Sequence, residues 1–469
     1  MPTAFPGRRV AIIGGGLAGI AAAIRLVEAG YKPIVIESRK MLGGRATSNV
    51  DPRTGELIDN CQHVLLGCCT NLIDLYDRLG VLDKIQWHRT LYWTHANREI
   101  DRVRAAPLPA PFHLLPSLAR MRLLSRAERR EVRRVMWRII RLGGPGRLAW
   151  SGRTFGEFLD HCKQSDSVTR KFWNVIITSA CNLDVKRVGA AYAIQVFQEG
   201  FLANRWSYTM GLPTVQLVAL YEPAKDVLRA NGGEVCLSTS AKAIAFDGRG
   251  VTGVVTADGF IEAAAVVSAV PFDRLDKLVS NAMRTADTRL QSLGRLEVSP
   301  ILGVHLWFEH TVMDLPHLIL AGHDVQWLFN KGTDELGRQH IHAVISAADE
   351  WMALTEDQIV ERVVRDVHRA LPSAVGMQPT QVRCIKERRA TFAATPGSES
   401  YRPSAAPGYA GGAGIGNLFL AGDWCDTGWP ATMEGAVRSG YAAAAALSSV
   451  AAVIEDVPPG YLTRKLGLR

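Results

Sequence analysis

The sequence predicts an α/β fold, α+β overall, in which a domain built on a parallel sheet is interleaved with a second, more helical one. Two observations predict it. The chain opens on a β-α-β unit, and β-rich and helical stretches then alternate along the rest instead of separating into halves. Length agrees: 469 residues, 47% of them hydrophobic, exceed one ordinary domain and supply two cores.

The elements follow in order. Val10–Ile13 is a short apolar run, followed by Gly14-Gly15-Gly16-Leu17-Ala18-Gly19 and an alanine-rich helical stretch to about Ala29. Gly30 ends that helix and Pro33–Glu37 is the next strand. Arg98–Gly146 is punctuated by Pro107, Pro109, Pro111 and Pro116 and then becomes helical, and Thr154–Phe201 reads as mainly helical. Val235–Val270 changes to short β-rich runs with glycines at the turns, a meander. Ile301–Phe308 and His340–Ser346 are strands, and Asp357–Leu371 is an amphipathic helix. Tyr401–Gly416 is a Pro/Gly/Ala loop, Asn417–Leu420 a last buried strand and Met433–Val450 a last small-residue helix. The layout assigns 7–95, 206–272 and 384–450 to the parallel-sheet domain, 96–205 and 273–383 to the second, and 451–469 to a tail.

Composition excludes disordered and fibrous classes, and no apolar run reaches the roughly 18 to 20 residues that span a bilayer. The first nine residues are too short and polar for a secretory signal, so a cytoplasmic protein is expected. The eight cysteines form no C-x-x-C pair and are expected to be reduced, with no metal site. Net charge is +9, and thirteen arginines against four acids between Arg98 and Trp150 account for that surplus.

Gly14-x-Gly16-x-x-Gly19 gains meaning from its context, because a strand ends at Ile13 and Glu37 ends the second strand. Gly14 permits the tight turn, and Gly16 lets the backbone approach a pyrophosphate. Leu17 and Ala18 lie just before the helix expected to start at Gly19, whose free N–H groups favour an anion. Gly19 allows close helix–sheet packing, and the Glu37 carboxylate can accept hydrogen bonds from ribose hydroxyls. The other glycine cluster, Gly411 to Gly416, precedes a strand and reads as a flexible loop, so no nicotinamide site is evident.

Glu37-Ser38-Arg39-Lys40-Met-Leu-Gly43-Gly44-Arg45 resembles the segment after the second strand in the amine oxidase and phytoene desaturase superfamily. Leu418-Phe-Leu-Ala-Gly422-Asp423-Trp424 and Thr432-Met433-Glu434-Gly435 through Gly440 resemble its closing motif. The resemblance implies a Rossmann-like FAD-binding domain of the glutathione-reductase/amine-oxidase type with an interleaved substrate domain. It implies non-covalent FAD, with Gly43, Gly44 and Arg45 continuing the wrap around the phosphates. Asp423 then meets the ribityl chain, the backbone at Thr432 and Met433 meets the flavin C2 carbonyl, and Lys242 lies on the strand that contacts adenine.

Asp59-Asn60-Cys61-Gln62-His63 through Gly67 resembles the stretch beside the flavin in carotenoid desaturases and squalene-associated relatives. The run from Gly422 to Gly440, with Pro300–Phe308 and Pro107–Leu115, is similar to the hydroxysqualene dehydroxylase family of bacterial hopanoid synthesis. Cys61 and Cys425 depart from that family's usual Gly and Thr. The resemblance implies that hydride from reduced flavin N5 replaces the hydroxyl of hydroxysqualene, giving squalene. This needs an acid to assist the departing hydroxide and a dry apolar tunnel. His63 either polarises that hydroxyl or bonds backbone; Asp426 either does so or caps a turn; Glu434 either does so or supports the cofactor. Gln62 and His63 adjoin the flavin, and Trp429 and Trp307 are expected to line the substrate pocket. The alternatives are a carotenoid-type desaturase, running hydride the other way, and a flavin amine oxidase, which commonly has a lysine near N5.

Met121–Leu142 interleaves arginines with apolar residues. Arg129, Arg130, Arg133 and Arg134 are expected on anionic headgroups, with Trp137 and the apolar groups below, at the inner face of the cytoplasmic membrane. The alternative is a solvated helix on its own domain. Expected partners are hydroxysqualene and squalene, a membrane surface and an electron donor, with no nucleic acid; oligomeric state is left open.

Overall fold

The computed structural model describes residues 8–95, 99–408, 413–448 and 452–468. Arg98, the Gly411-Gly412 pair, Val450 and the outermost residues of the expected domain spans lie outside the described residues.

The opening unit forms as its sequence dictates. Arg9–Ile13 and Lys32–Ile36 are parallel strands joined by the helix Leu17–Glu28. After their first residue both strands are wholly buried, the pattern of central strands covered on both faces. The full parallel sheet has the order Glu234–Cys236, Lys32–Ile36, Arg9–Ile13, Ala265–Ser268 and Leu418–Leu420. Three distant stretches of chain thus complete one sheet. The last helix, Met433–Ser448, crosses the first at Gly440, where an added Cβ would lie 2.2 Å from the Ala18 carbonyl oxygen. Only a residue without a side chain lets the two backbones meet there.

The second sheet has seven strands in the order Gln381–Phe392, Val298–Phe308, Gln339–Ser346, Trp327–Thr333, His317–Leu320, Thr90–Thr94 and Ile100–Arg104. Strict alternation gives it two distinct faces. Leu302, Val304 and Leu306, with Ile341, Ala343 and Ile345, pack under the helix Glu356–Ala370 through Ile359, Val363 and Val367. The opposite face presents Gly303, His305 and Trp307 beside Val344, His342 and His340.

This sheet moves the expected domain boundaries. Thr90–Thr94 and most of Gln381–Phe392 were expected in the parallel-sheet domain, but both hydrogen-bond into the seven-stranded sheet. Conversely, Met283, Leu290, Leu293 and Leu296, expected in the second domain, join the core around Ile13, Ile34 and Ile36. Strand partners and core contacts decide membership, and neither is local in sequence. Between Glu234 and Ser268 the expected meander is present: Ala241–Phe246, Val251–Thr256 and Gly259–Glu262 form an antiparallel sheet.

The arginine-rich helix, Arg126–Leu148, corrects one expectation. Leu123, Leu124, Val132, Val135, Ile139 and Ile140 are buried in the protein's own core and do not face outward toward lipid. Their spacing of three and four is that of a helix packed on its domain. Arg130, Arg133, Arg134 and Trp137 are exposed, while Arg129 is partly buried and donates to the Met121 carbonyl at 3.1 Å. Among the described residues no helix is long and apolar enough to cross a membrane.

Candidate functional site

At the opening turn, the helix Leu17–Glu28 begins without a side-chain cap, so no side chain of this chain competes for its first N–H groups. An added Cβ at Gly19 would stand 1.9 Å from the Gly14 carbonyl oxygen, so helix and turn close only with glycine. Glu37 is buried at the end of the second strand, accepting from the Gly15 N–H at 2.7 Å and the Arg39 N–H at 2.8 Å. The exposed Ser38 hydroxyl donates to it at 3.2 Å. The Gly43-Gly44 loop lies directly on this turn: Gly43 N–H donates to the Gly15 carbonyl at 2.8 Å, and Arg39 Nη1 to the Gly44 carbonyl at 2.7 Å. Lys242 is exposed, in a register shift of its strand between Ala241 and Ala243, where a bulge leaves backbone groups outside the ladder. Thr239, three residues before it, donates from its backbone to the Glu37 carbonyl at 2.9 Å.

Arg45 connects the opening and closing motifs. Its guanidinium forms a short ion pair with Asp423 and donates to the Ala390 carbonyl at 2.9 Å. Gly422 N–H donates to Ser439 Oγ at 2.7 Å, and Trp424 Nε1 to the Val270 carbonyl at 3.0 Å, which ties the Asp423 loop to the last helix and the parallel sheet. Thr432 caps the last helix, its Oγ1 accepting the Gly435 N–H at 3.0 Å and leaving the Met433 step at the helix start. Glu434 points away from that start. It accepts from Asn71 and Leu72 backbone N–H groups and from Arg438 Nε at 2.7 Å, which caps the helix Thr70–Arg78.

Residues Asp59 to His63 lie against the inner face of the seven-stranded sheet. His305 Nε2 bonds the Asp59 carbonyl oxygen at 2.9 Å, and Lys331 Nζ donates to Asp59 Oδ2 at 3.3 Å and Gln62 Oε1 at 3.1 Å. Asn60 Nδ2 bonds the Arg45 carbonyl, so the Gly43–Arg45 loop and the sheet meet at this segment. His63 is partly buried with Nδ1 3.1 Å from the Cys61 carbonyl, and burial lowers its pKa. A carbonyl cannot donate, so neutral His63 carries its proton on Nδ1 and offers Nε2 as an acceptor. Burial pushes the Cys61 thiol up to about 12, which removes it as a nucleophile.

The other expected site residues are placed as follows. Asp426 is exposed, and its carboxylate accepts the Gly428 N–H at 3.4 Å within a turn. Trp429 is buried under Arg438, whose guanidinium sits 4.9 Å from the ring centroid. Trp307 is buried on the inner sheet face, stacked on His340 with centroids 4.3 Å apart. All eight cysteines are free, and no cluster of potential metal ligands occurs among the described residues.

Several residues at the site escaped sequence reasoning. Lys331, His305, His340 and His342 occupy one face of one sheet, and the clue was polar residues at every second position of two apolar strands. Arg402 carries no such signal. It is buried, donates to the Asp423 carbonyl at 3.1 Å and to the Tyr192 hydroxyl at 3.0 Å, and so holds the backbone of the closing loop.

Comparison with known proteins bears on the family and the fold. The model of a family described as flavin containing amine oxidoreductase matches residues 17–448. A 15-cis-phytoene desaturase of Synechococcus elongatus is 25% identical over 462 residues, covering 94% of this chain and 95% of that protein. A hydroxysqualene dehydroxylase of Sinorhizobium fredii is 29% identical over 443 residues, covering 93% and 97%. Among solved structures, a putrescine oxidase variant matches with a TM-score of 0.72 at 17% identity, covering 94% of this chain and 99% of that one, a likeness of fold.

Proposed function

The chain belongs to the flavin containing amine oxidoreductase family, and on that premise we propose that it is a hydroxysqualene dehydroxylase that holds FAD non-covalently. The residues present fit that cofactor. The uncapped helix start at Leu17 offers N–H groups to a diphosphate, and the buried Glu37 retains acceptor capacity for a ribose. Asp423, anchored by Arg45, suits the ribityl hydroxyls, and the helix start at Met433 places positive backbone dipole at the pyrimidine end. When bound, reduced FAD supplies hydride at N5.

One observation carries the substrate reading. The sheet face that meets the Asp59–His63 segment is aromatic and carries no unpaired charge: Trp307 stacks beside His305 and His340, and His342 stacks on His305. Burial keeps these imidazoles unprotonated, and Lys331 is paired with Asp59. The carboxylates nearby are committed, Asp59 to Lys331, Asp423 to Arg45 and Glu434 to Arg438. Such a wall suits a long isoprenoid and excludes water from a departing hydroxide. His63, with Nε2 as acceptor, positions a proton donor such as a water molecule beside the leaving oxygen; Asp426 acts from the turn at the rim. Relatives named hydroxysqualene dehydroxylase support the reading, and those named phytoene desaturase support the opposite direction of hydride transfer on a similar substrate.

The test is anaerobic incubation of the FAD-loaded protein with hydroxysqualene and dithionite. Squalene detected by mass spectrometry supports the proposal, and its absence overturns it. Desaturated product from phytoene and oxidised FAD assigns the desaturase activity instead. The position of Lys331 beside Gln62 favours a second reading, an amine oxidase; release of peroxide from amines in air supports that one. We further propose that the exposed Arg130, Arg133 and Arg134 rest on anionic lipid at the inner face of the cytoplasmic membrane, and that a separate electron donor reduces the flavin.

A further inference from the structure

The segment Arg402–Ala405 runs beside the closing loop. The Pro403 carbonyl accepts the Asp426 N–H at 2.9 Å, and the Ala405 carbonyl accepts the Leu420 N–H at 3.1 Å. Arg402, which opens this segment, is buried. Its Nη2 donates to the Asp423 carbonyl at 3.1 Å, to the Cys425 carbonyl and to Thr427 Oγ1 at 3.4 Å. Its Nη1 donates to the Tyr192 hydroxyl at 3.0 Å. The guanidinium carbon also lies 4.8 Å from the Phe392 ring centroid and 5.7 Å from that of Tyr192. One side chain thus ties the loop after Asp423 to the helix Ala190–Phe197 and to the end of the strand Gln381–Phe392.

Every one of these partners is neutral. Among the described residues Arg402 forms no ion pair. Burial raises the pKa of the Tyr192 hydroxyl, which stays protonated. The other charges at this loop are accounted for: Arg45 pairs with Asp423, Arg289 pairs with Asp287, and Asp426 is exposed to solvent. Glu399 feels the Arg402 charge without pairing to it, and burial raises its pKa, which works against its ionised form. One unneutralised positive charge therefore backs the closing loop. Holding carbonyls in place does not require it, since Ser439 and Thr432 tie neighbouring backbone with hydroxyls. Burying a guanidinium costs more than burying a neutral donor, and carbonyl dipoles and ring faces offset only part of that cost. What the arginine adds over a neutral donor is its charge.

We propose that Arg402 is a positioning residue of the flavin site, acting through the Asp423–Thr427 loop, and that its charge favours the reduced cofactor over the oxidised one. Two-electron reduction adds negative charge to the flavin ring system. A fixed positive charge in a water-poor interior stabilises the form that carries that charge. A neutral side chain making the same bonds holds the loop and leaves the balance between the two forms alone. With Arg402 in place, the flavin accepts electrons more readily from its donor.

This inference rests on the flavin reading above and is tested without turnover, as the midpoint potential of the bound flavin measured anaerobically against a reference dye. R402M and R402Q remove the charge, R402K keeps it, and Y192F removes a neutral partner only. Both neutral variants are expected to lower the preference for the reduced form about tenfold, a midpoint about 30 mV lower for a two-electron couple. R402K and Y192F are expected to keep the wild-type potential, although R402K loses the planar fork. An unchanged potential in R402M and R402Q overturns the inference and leaves a structural tie, as does a fall in R402K as large as that in R402M. Loss of flavin or of fold from both neutral variants overturns it too, because the residue then serves binding as a whole. Failure of the flavin reading shows separately, as wild-type protein that carries no flavin.

Discussion

The two sheets of this molecule handle polarity in opposite ways. The parallel sheet contains no histidine in its strands and leaves its polar work to backbone N–H groups, one buried carboxylate and an arginine–carboxylate pair at the strand ends. The seven-stranded sheet places histidines and tryptophans within its strands, on one face only. The first arrangement suits a charged ligand fixed at many points along its length. The second suits a neutral, mostly apolar ligand touched at few points. Arg45 and the Asp59–His63 segment join the two, so the two styles meet there.

The contrast is broken most forcefully at Gly19. An alanine there puts a methyl carbon 1.9 Å from the Gly14 carbonyl oxygen, a clash with backbone on both sides that no side-chain rotation relieves. G19A is expected to lose nearly all bound flavin, read as flavin absorbance per mole of chain. A full flavin complement in G19A would remove the opening turn from the cofactor site. A folded but flavin-free product, shown by an intact far-ultraviolet spectrum, would separate loss of the site from loss of the fold.

The second prediction concerns acid. Burial lowers His305 to about 4 and His317 to about 3, whereas in the unfolded chain both titrate near the ordinary value of about 6.5. Between those values the unfolded state binds protons that the folded state does not. Stability is therefore full above about pH 6.5 and is lost as pH falls toward 4, by about 2 kcal/mol per histidine at pH 5. Urea midpoints at pH 7.5 and pH 5 measure it. H305F and H317F are each expected to flatten the slope by about one proton. An unchanged slope in both would show that these two histidines do not carry the acid sensitivity.

How much of this was legible in the sequence follows from range. The Gly14–Gly19 turn acts on its own neighbours within a few residues, and Glu37 reaches back only across one β-α-β unit to Gly15, so the sequence announces both. Thr432 was legible only through family resemblance, and its capping of the last helix was not. The Gly43–Arg45 step and the Asp423 loop were legible only through family resemblance; the pair they form joins positions far apart in the chain. The place of His342 beside the Asn60–His63 segment was not legible, because it depends on Gly303 in another strand and on Asn60 in another domain. Arg402 satisfies carbonyls of a different loop, and nothing near it in sequence marks it as buried. The domain boundaries failed for the same reason: Thr90–Thr94 finds its partner strand at His317–Leu320. The arginine helix was misread in one respect, since its apolar stripe fits a lipid face and a protein core equally well until the core is seen.

That helix supplies the last and smallest prediction, and it extends the comparison to charge. The surplus of +9 is concentrated on the seven-stranded side of the molecule, in the stretch that contains the helix Arg126–Leu148. With its apolar stripe buried, the helix can meet a membrane only through exposed arginines and Trp137, which is 40% exposed. Binding is then electrostatic and salt-dependent, not insertive. Each basic residue at an anionic surface contributes at most about 1 kcal/mol, less at 0.15 M salt. Replacing Arg130, Arg133 and Arg134 by Gln is therefore expected to weaken partition onto phosphatidylserine vesicles by about tenfold, leaving flavin content and urea midpoint unchanged. Arg129 is left in place because its bond to the Met121 carbonyl serves the fold. Equal partition of the triple variant and the wild type would take this helix off the membrane and leave its arginines as a solvated face.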